Sequence, residues 1–227
     1  MVVAMAHANT SQPGESAASQ AGKEALGTVK QGAMVIGSLV AIMWVIEIID
    51  QILFVKAGVG LTPIDSYGIY PRSVSGLKGI LFAPFLHGGW DHIISNTVPF
   101  AAMGGLIFLS RGLKGFLVVS GLIALLAGLG TWAIGNLFTT NNAVHIGASG
   151  VIFGYLGFLL AAGIFERSIS SIVIAVVVGA AYGGVIAGVL PGTPGISWEG
   201  HLMGFLGGVW VAYYLSSRQK KKAAKKG

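Results

Sequence analysis

Cysteine is missing altogether from the 227 residues. Its absence removes disulfides, thiol nucleophiles and thiolate metal sites. Charge is scarce too: Asp, Glu, Lys and Arg together make up 10% of the chain, against roughly 25% in soluble domains. A soluble globule of this size has no room inside for all of the long apolar runs. Proline is limited to 7 residues and there is no Gly-X-Y period, which excludes a collagen-like chain. Disorder requires low hydrophobicity, whereas 54% of this chain is hydrophobic.

What is abundant points to a lipid solvent. Glycine supplies 36 of 227 residues, more than twice its usual share of about 7%, and glycine is more frequent in transmembrane helices than in soluble ones. Crossing the hydrocarbon core takes about 20 apolar residues as helix. Six stretches qualify: 33–55, 90–109, 115–134, 148–165, 169–190 and 199–216. The expected fold class is therefore all-α, a polytopic membrane bundle of six transmembrane helices. Residues 1–32 are polar and aperiodic and are expected to form a flexible cytoplasmic tail. Met1–Met5 is too short, and lacks the basic start, for a signal peptide. Residues 33–216 form the membrane domain, and residues 217–227 form a basic cytoplasmic tail.

The charges orient the bundle. With both termini inside, the inner segments hold Lys23, Lys30, Arg111, Lys114, Arg167, Arg218 and five tail lysines, eleven in all, and the outer segments hold Lys56, Arg72 and Lys78. That asymmetry predicts N-in, C-in. The net charge of +6 is concentrated in the tail, where six of fourteen basic residues occupy the last ten positions. It reads as a membrane-surface feature rather than a nucleic-acid groove, so the expected partners are the lipid bilayer and no nucleic acid. The long outer loop, about 56–89, has room for an interfacial helix.

Polar residues inside spans are costly and are functional candidates by default. His92 and Asn96 stand one turn apart on one face of the second span. Ser149 opens the fourth span and His201 the sixth. In the expected orientation all four fall in the outer leaflet. Gly150, Gly154 and Gly157 in one helix, and Gly200, Gly204 and Gly208 in the other, would let these two helices approach closely. That approach would bring Ser149 near His201. A serine hydroxyl becomes a nucleophile when an adjacent base takes its proton, and His92, Asn96 and the Ser149 amide are suited to hold an oxyanion.

Three elements carry a family resemblance. His87-Gly88-Gly89-Trp90-Asp91-His92-Ile93-Ile94-Ser95-Asn96 resembles the H-x4-H-x3-N element of the rhomboid intramembrane serine proteases. Gly147-Ala148-Ser149-Gly150 resembles their G-x-S-G motif, and Gly200-His201-Leu202-Met203-Gly204 their last-helix G-H-x-x-G motif. Order and spacing agree over about residues 34–216. The resemblance implies a bacterial-type six-helix rhomboid core acting as a serine endopeptidase on transmembrane protein substrates. It implies Ser149 as nucleophile, His201 as general base, and His92, Asn96 and the Ser149 amide as the oxyanion hole. Gly147 would admit substrate backbone, Phe153 would set an aromatic ring against the histidine, and His87 would take a structural part. No cofactor and no metal are implied. The bacterial plasma membrane is the expected location. Two departures stand out: Lys78-Gly79 occupies the place of a Trp-Arg pair in the outer loop, and Phe108 the place of an inner acid.

Other readings of the same residues carry different expectations. A zinc site from His87, His92, His145 and His201 lacks the HExxH spacing. An α/β-hydrolase elbow would need glycine at Val151 and a parallel sheet. A non-catalytic client-helix binder of the same fold, or a small transporter, would use the polar pocket without chemistry. Repeat-built transporters show paired half-architectures, and no internal repeat occurs here. His145 is expected as a solvated loop histidine and His7 as an inert tail residue. Glu47 and Asp50 are expected at the interface, hydrogen-bonded to the outer loop.

Overall fold

The computed structural model describes residues 17–54, 64–137, 143–193 and 195–225. His7, Lys56 and the first half of the expected N-terminal tail lie outside them. The elements in order are α1 (Ala17–Leu53), a short α2 (Gly79–Phe82) between 3-10 turns, α3 (Trp90–Ile134), α4 (Ser149–Glu166), α5 (Ile169–Tyr182) and α6 (Trp198–Ala224). No strand occurs among the described residues, only an isolated antiparallel bridge between Ile69 and His145.

Four helical stretches are long and apolar enough to cross a membrane. One of them, α3, has 45 residues, about 68 Å of helix at 1.5 Å per residue and enough for two crossings. It breaks at Gly112, whose φ of 65° and ψ of 179° leave the helical region. A residue without Cβ adopts that conformation at little cost. The break falls between Arg111 and Lys114, where charge ends the apolar run. Counting the two arms of α3 separately, the bundle makes six helical passes. α6, the sixth pass, has 27 residues but is not one of those four apolar stretches; Glu199 and His201 stand in its first turns and Lys221 and Lys222 in its last.

Two boundaries differ from expectation. α1 begins at Ala17 rather than near 33, because Ala17–Gln31 is rich in good helix formers such as Ala, Gln, Lys and Glu. The fifth pass is α-helical only to Tyr182 and continues as a 3-10 helix over Gly183–Val189. The outer loop does contain helix, a short apolar segment over Val74–Phe85.

α4 is the centre of the molecule. It is apolar all round, as a helix surrounded by others must be, and twelve of its residues are buried. Its closest neighbour is α6. A Cβ placed on Gly204 would overlap the Gly150 carbonyl oxygen, and one on Gly208 would overlap that of Gly154. The expected glycine stripe is thus the contact itself. Between helices in lipid there is no hydrophobic driving force, so such close backbone packing supplies the attraction. The second arm of α3 closes the other side, with Phe116 and Ile123 fully buried against α4. Tyr155 of α4 is also fully buried, its Oη 2.7 Å from Ser120 Oγ. Phe108, at the place of the familial acid, is a core residue packed on Phe116.

α5 is peripheral. Only Ser171 and Val178 of it are buried. At the Ser168 end it is held by polar contacts: Arg111 pairs with Glu166, and Ser171 Oγ donates to Glu166 Oε2 at 2.7 Å. Ser168 caps the helix by accepting from the Ser171 N–H at 3.1 Å.

Glu47 and Asp50 do not lie at an exposed interface. Both are buried. Glu47 Oε1 accepts from Gln51 Nε2 of the next turn at 2.8 Å. Glu47 Oε2 and Asp50 Oδ1 have no hydrogen-bond partner among the described residues. Glu47 lies close to Gly89 and Asp65 of the outer loop.

Candidate active site

The four polar residues singled out in the spans meet at one cavity of about 540 Å³, lined by His92, Asn96, Ser149, Phe153 and His201 together with loop residues 195–197. Each is delivered by the start of a helix. α3 brings His92 and Asn96, α4 brings Ser149 and Phe153, and α6 brings His201. Apolar side chains, among them Met103, Ile152 and Leu156, form much of the remaining wall.

Ser149 is the first residue of α4 and is half-buried. The N–H groups of a first helical turn have no partner within the helix, so the Ser149 amide is a free donor, and the helix N-terminus favours negative charge beside it. Just before it, Gly147 has φ of +114°, and a Cβ there would stand 2.6 Å from His92 Nε2 and 3.7 Å from Asn96 Nδ2. Only glycine fits this backbone conformation and this close approach together. Gly147 does not line the main cavity. It lies in the wall behind Ser149, beside a small pocket of about 40 Å³.

The hydrogen bonds fix which ring nitrogens carry protons. His92 Nδ1 accepts from the Gly88 N–H at 3.3 Å, so its Nε2 carries the hydrogen and is a donor on the Gly147 side. Asn96 Nδ2 is buried and has no hydrogen-bond partner among the described residues. Two side-chain donors therefore stand beside the segment that carries Ser149. His201 has the opposite tautomer. Its Nδ1 is 3.0 Å from the Gly188 carbonyl oxygen, which can only accept, so Nδ1 carries the hydrogen and Nε2 holds the lone pair. Phe153 stacks on the His201 ring at 4.1 Å and 10°. Ring and carbonyl together hold the imidazole in one orientation. Ser149 Oγ makes no hydrogen bond to His201 in this arrangement.

His87 lies outside the cavity. It is buried in the loop before α3, its ring edge-on to His92 at 5.0 Å. Burial, with His92 beside it, pushes its pKa down to about 4, so the ring is neutral near pH 7.

His145 departs from expectation. It is a buried residue of the cavity wall rather than a solvated one. Its Nδ1 is 2.5 Å from Ser197 Oγ and its Nε2 3.0 Å from Asn136 Oδ1. Burial lowers its pKa, partly opposed by the Glu199 carboxylate nearby. Sequence reading missed this network and the Gly188 carbonyl. The first joins residues far apart in the chain, and the second is a backbone atom with no side-chain signal. Residues 138–142 and 194 lie outside the described residues. Among the described residues, no group of three or more His, Asp or Glu side chains is disposed to hold a metal ion.

The arrangement offers an unprotonated ring nitrogen, a serine hydroxyl at a helix N-terminus and a set of donors with no other partner. Comparison with known proteins identifies the family. The model of the rhomboid domain matches residues 75–218, which takes in every residue of the cavity named above. An uncharacterized protein of Mycobacterium tuberculosis is 42% identical over 199 residues, 86% of this chain and 80% of its own. An uncharacterized protein of Mycobacterium leprae is 39% identical over 199 residues, 86% of this chain and 76% of its own. Rhomboid-like protein 4 of Arabidopsis thaliana is 32% identical over 154 residues, 65% of this chain and 36% of its own. With the domain model spanning well over half of the chain, and relatives this similar over most of its length, this integral membrane protein belongs to the rhomboid family.

Proposed function

We propose that the protein is an intramembrane serine endopeptidase that cleaves transmembrane helices near the outer face of the membrane. The observation that carries this reading is the tautomer of His201. Its Nδ1–H is committed to the Gly188 carbonyl, so Nε2 is free to act as a base, and it shares one cavity with Ser149.

In the proposed reaction His201 Nε2 takes the Ser149 hydroxyl proton as Oγ attacks the substrate carbonyl carbon. The carbonyl π electrons move to oxygen. The Ser149 amide, Asn96 Nδ2 and His92 Nε2–H receive that oxyanion. The imidazolium then gives its proton to the leaving amine as the C–N bond breaks, and the acyl-enzyme is hydrolysed by water with His201 as base again. Ser149 and His201 are not hydrogen-bonded to each other, and such catalytic contacts commonly tighten only once substrate binds. An acid to complete a triad is not needed here, because the Gly188 carbonyl already fixes the His201 tautomer.

A substrate helix must unwind to offer its peptide bond, since irregular backbone at membrane depth is tolerated only where protein or water satisfies it. The polar groups gathered in the cavity supply that environment. The N-in, C-in orientation places the cavity toward the outside, and the bacterial plasma membrane fits the mycobacterial relatives. Substrate enters past α5, whose sides are largely unpacked.

The absent Ser149–His201 hydrogen bond also favours a second reading, a rhomboid-like protein that binds client helices without cleaving them. One experiment separates the two. Wild type and Ser149→Ala are reconstituted in liposomes with single-span reporter substrates. The protease reading expects cleavage by wild type and a loss of at least about a thousandfold in the variant. Equal product from both ends the serine-protease reading, and no product from wild type across a panel of reporters leaves the binding protein as the answer.

A further inference from the structure

We infer that His145 is a positioning residue for the proposed reaction: through Ser197 it holds the first turn of α6, and with it His201, in register with the segment that carries Ser149. The inference rests on the protease reading and adds a residue that reading does not use.

His145 is anchored on its own side by backbone. Its N–H donates to the Ile69 carbonyl at 3.0 Å, and its carbonyl accepts from the Ile69 N–H at 2.9 Å. Ser149 follows four residues later, so fixing His145 fixes the approach to the nucleophile. The side chain reaches the other way. Asn136 Nδ2 donates to the Ala143 carbonyl at 2.8 Å, which turns Asn136 Oδ1 toward His145. That oxygen can only accept, so His145 Nε2 carries the hydrogen. Nδ1 is then an acceptor, and the hydrogen bond at 2.5 Å to Ser197 is donated by the serine hydroxyl.

Ser197 is the residue preceding α6, the position at which serine ordinarily caps a helix with its side chain. It makes no such cap. Its hydroxyl is spent on His145, while its carbonyl accepts from the His201 N–H at 3.1 Å. Ser197 is thus bonded to both histidines, by side chain to one and by backbone to the other. A second link closes the ring: Glu199, in the first turn of α6, accepts from the Asn136 N–H at 3.1 Å. Space is tight around this link, since a Cβ on Gly200 would meet Ser197 Oγ at 2.8 Å and Thr131 Oγ1 at 3.1 Å. The glycine stripe sets how close α4 and α6 lie. The His145–Ser197 bond sets how α6 is placed along and about its axis at the end where His201 sits.

The test compares wild type, Ser149→Ala, His145→Phe, His145→Asn, Ser197→Ala and the His145→Phe/Ser197→Ala double variant in liposomes. The readouts are kcat and KM on a cleaved reporter, the rate of labelling by a fluorophosphonate, and thermal unfolding. Phe keeps the ring and loses both hydrogen bonds; Asn restores an acceptor near the position of Nδ1. The expected result is a fall of about tenfold or more in kcat and in labelling rate for His145→Phe with KM little changed, as for lost preorganisation. His145→Asn should recover most of that loss. Ser197→Ala should match His145→Phe, and the double variant should be no worse than either, as for two partners in one bond. The inference is overturned if His145→Phe keeps kcat within about twofold of wild type, if Asn recovers nothing, or if the two losses add in full. If His145→Phe does not fold, His145→Asn and Ser197→Ala decide by the same criteria. Equal activity of wild type and Ser149→Ala would remove the protease reading and this inference with it; an active wild type, a dead Ser149→Ala and an indifferent His145→Phe would remove this inference alone.

Discussion

α4 and α5 are consecutive helices of similar apolar character, yet they are held in opposite ways. α4 is buried on every side and meets α6 backbone to backbone through glycines. α5 buries only two residues and presents Ile172, Val173, Val176 and Val177 outward. In water both would bury themselves for the same hydrophobic gain. In lipid that gain vanishes, and only packing and hydrogen bonds distinguish a fixed helix from a loose one. The residues proposed for catalysis fall on the tightly held elements. Nucleophile and base sit on the α4–α6 pair, where a displacement of an ångström would cost rate. The helix proposed to admit substrate is the one with least to hold it.

The largest effect is expected from breaking the tight side. Gly204→Leu puts a side chain where the Gly150 carbonyl stands. No rotamer avoids the clash, because the overlap begins at Cβ. The helices must separate, at a cost of more than about 4 kcal/mol. Unfolding in mild detergent should show loss of the cooperative transition, or a fall of many degrees. A Gly204→Leu protein as stable as wild type would mean that α4 and α6 are not in backbone contact.

An intermediate effect is expected where α5 has its polar anchor. Glu166 pairs with Arg111 and accepts from Ser171. Both charged side chains are mostly covered, with exposures of 15% and 12%, and Arg111 also lies over the Phe158 ring at 5.4 Å. Glu166→Gln leaves the guanidinium without its counter-charge, which for a largely buried pair costs about 2–3 kcal/mol. Ser171→Ala removes one neutral-to-charged hydrogen bond and should cost less, about 1–2 kcal/mol. Detergent unfolding of the two variants should rank them in that order. If Glu166→Gln proves neutral, α5 is held by its apolar side rather than by this knot.

Much of this contrast was legible before the structure. Hydropathy located the passes of α1, α3, α4 and α5, and the small residues at spacing four named both faces of the α4–α6 contact. Ser149, His201, His92 and Asn96 were singled out because polar groups in spans are rare, and one cavity gathers them. The features that escaped were of two kinds. Gly188 acts through its carbonyl, and a backbone acceptor leaves no mark on residue type. His145, Asn136, Ser197 and Glu199 form a network from three loop or helix-start segments, with Asn136 and Ser197 nine and fifty-two residues from His145. Periodicity relates residues within one element only, so it has no means of pairing them. His145 looked solvated because loops usually are. Here the Ile69 bridge draws the loop inward.

The smallest effect is expected on the outward face of α5, and it sharpens the contrast within one helix. Val176 is 66% exposed and Val178 is 1% exposed. Each loses the same two methyl groups on substitution by alanine. Val176→Ala removes methyls that touch lipid, and lipid fills the space at once, so the change should stay within about 0.5 kcal/mol. Val178→Ala leaves a cavity that neighbouring helices cannot collapse into. No transfer from water is involved in either case, so the difference between them is the lost dispersion contact alone, about 1–2 kcal/mol. Unfolding in detergent should separate the two variants by that amount. Equal stabilities would show that α5 is mobile over its whole width, Val178 included, and that its buried face contributes no more to the fold than the face in lipid.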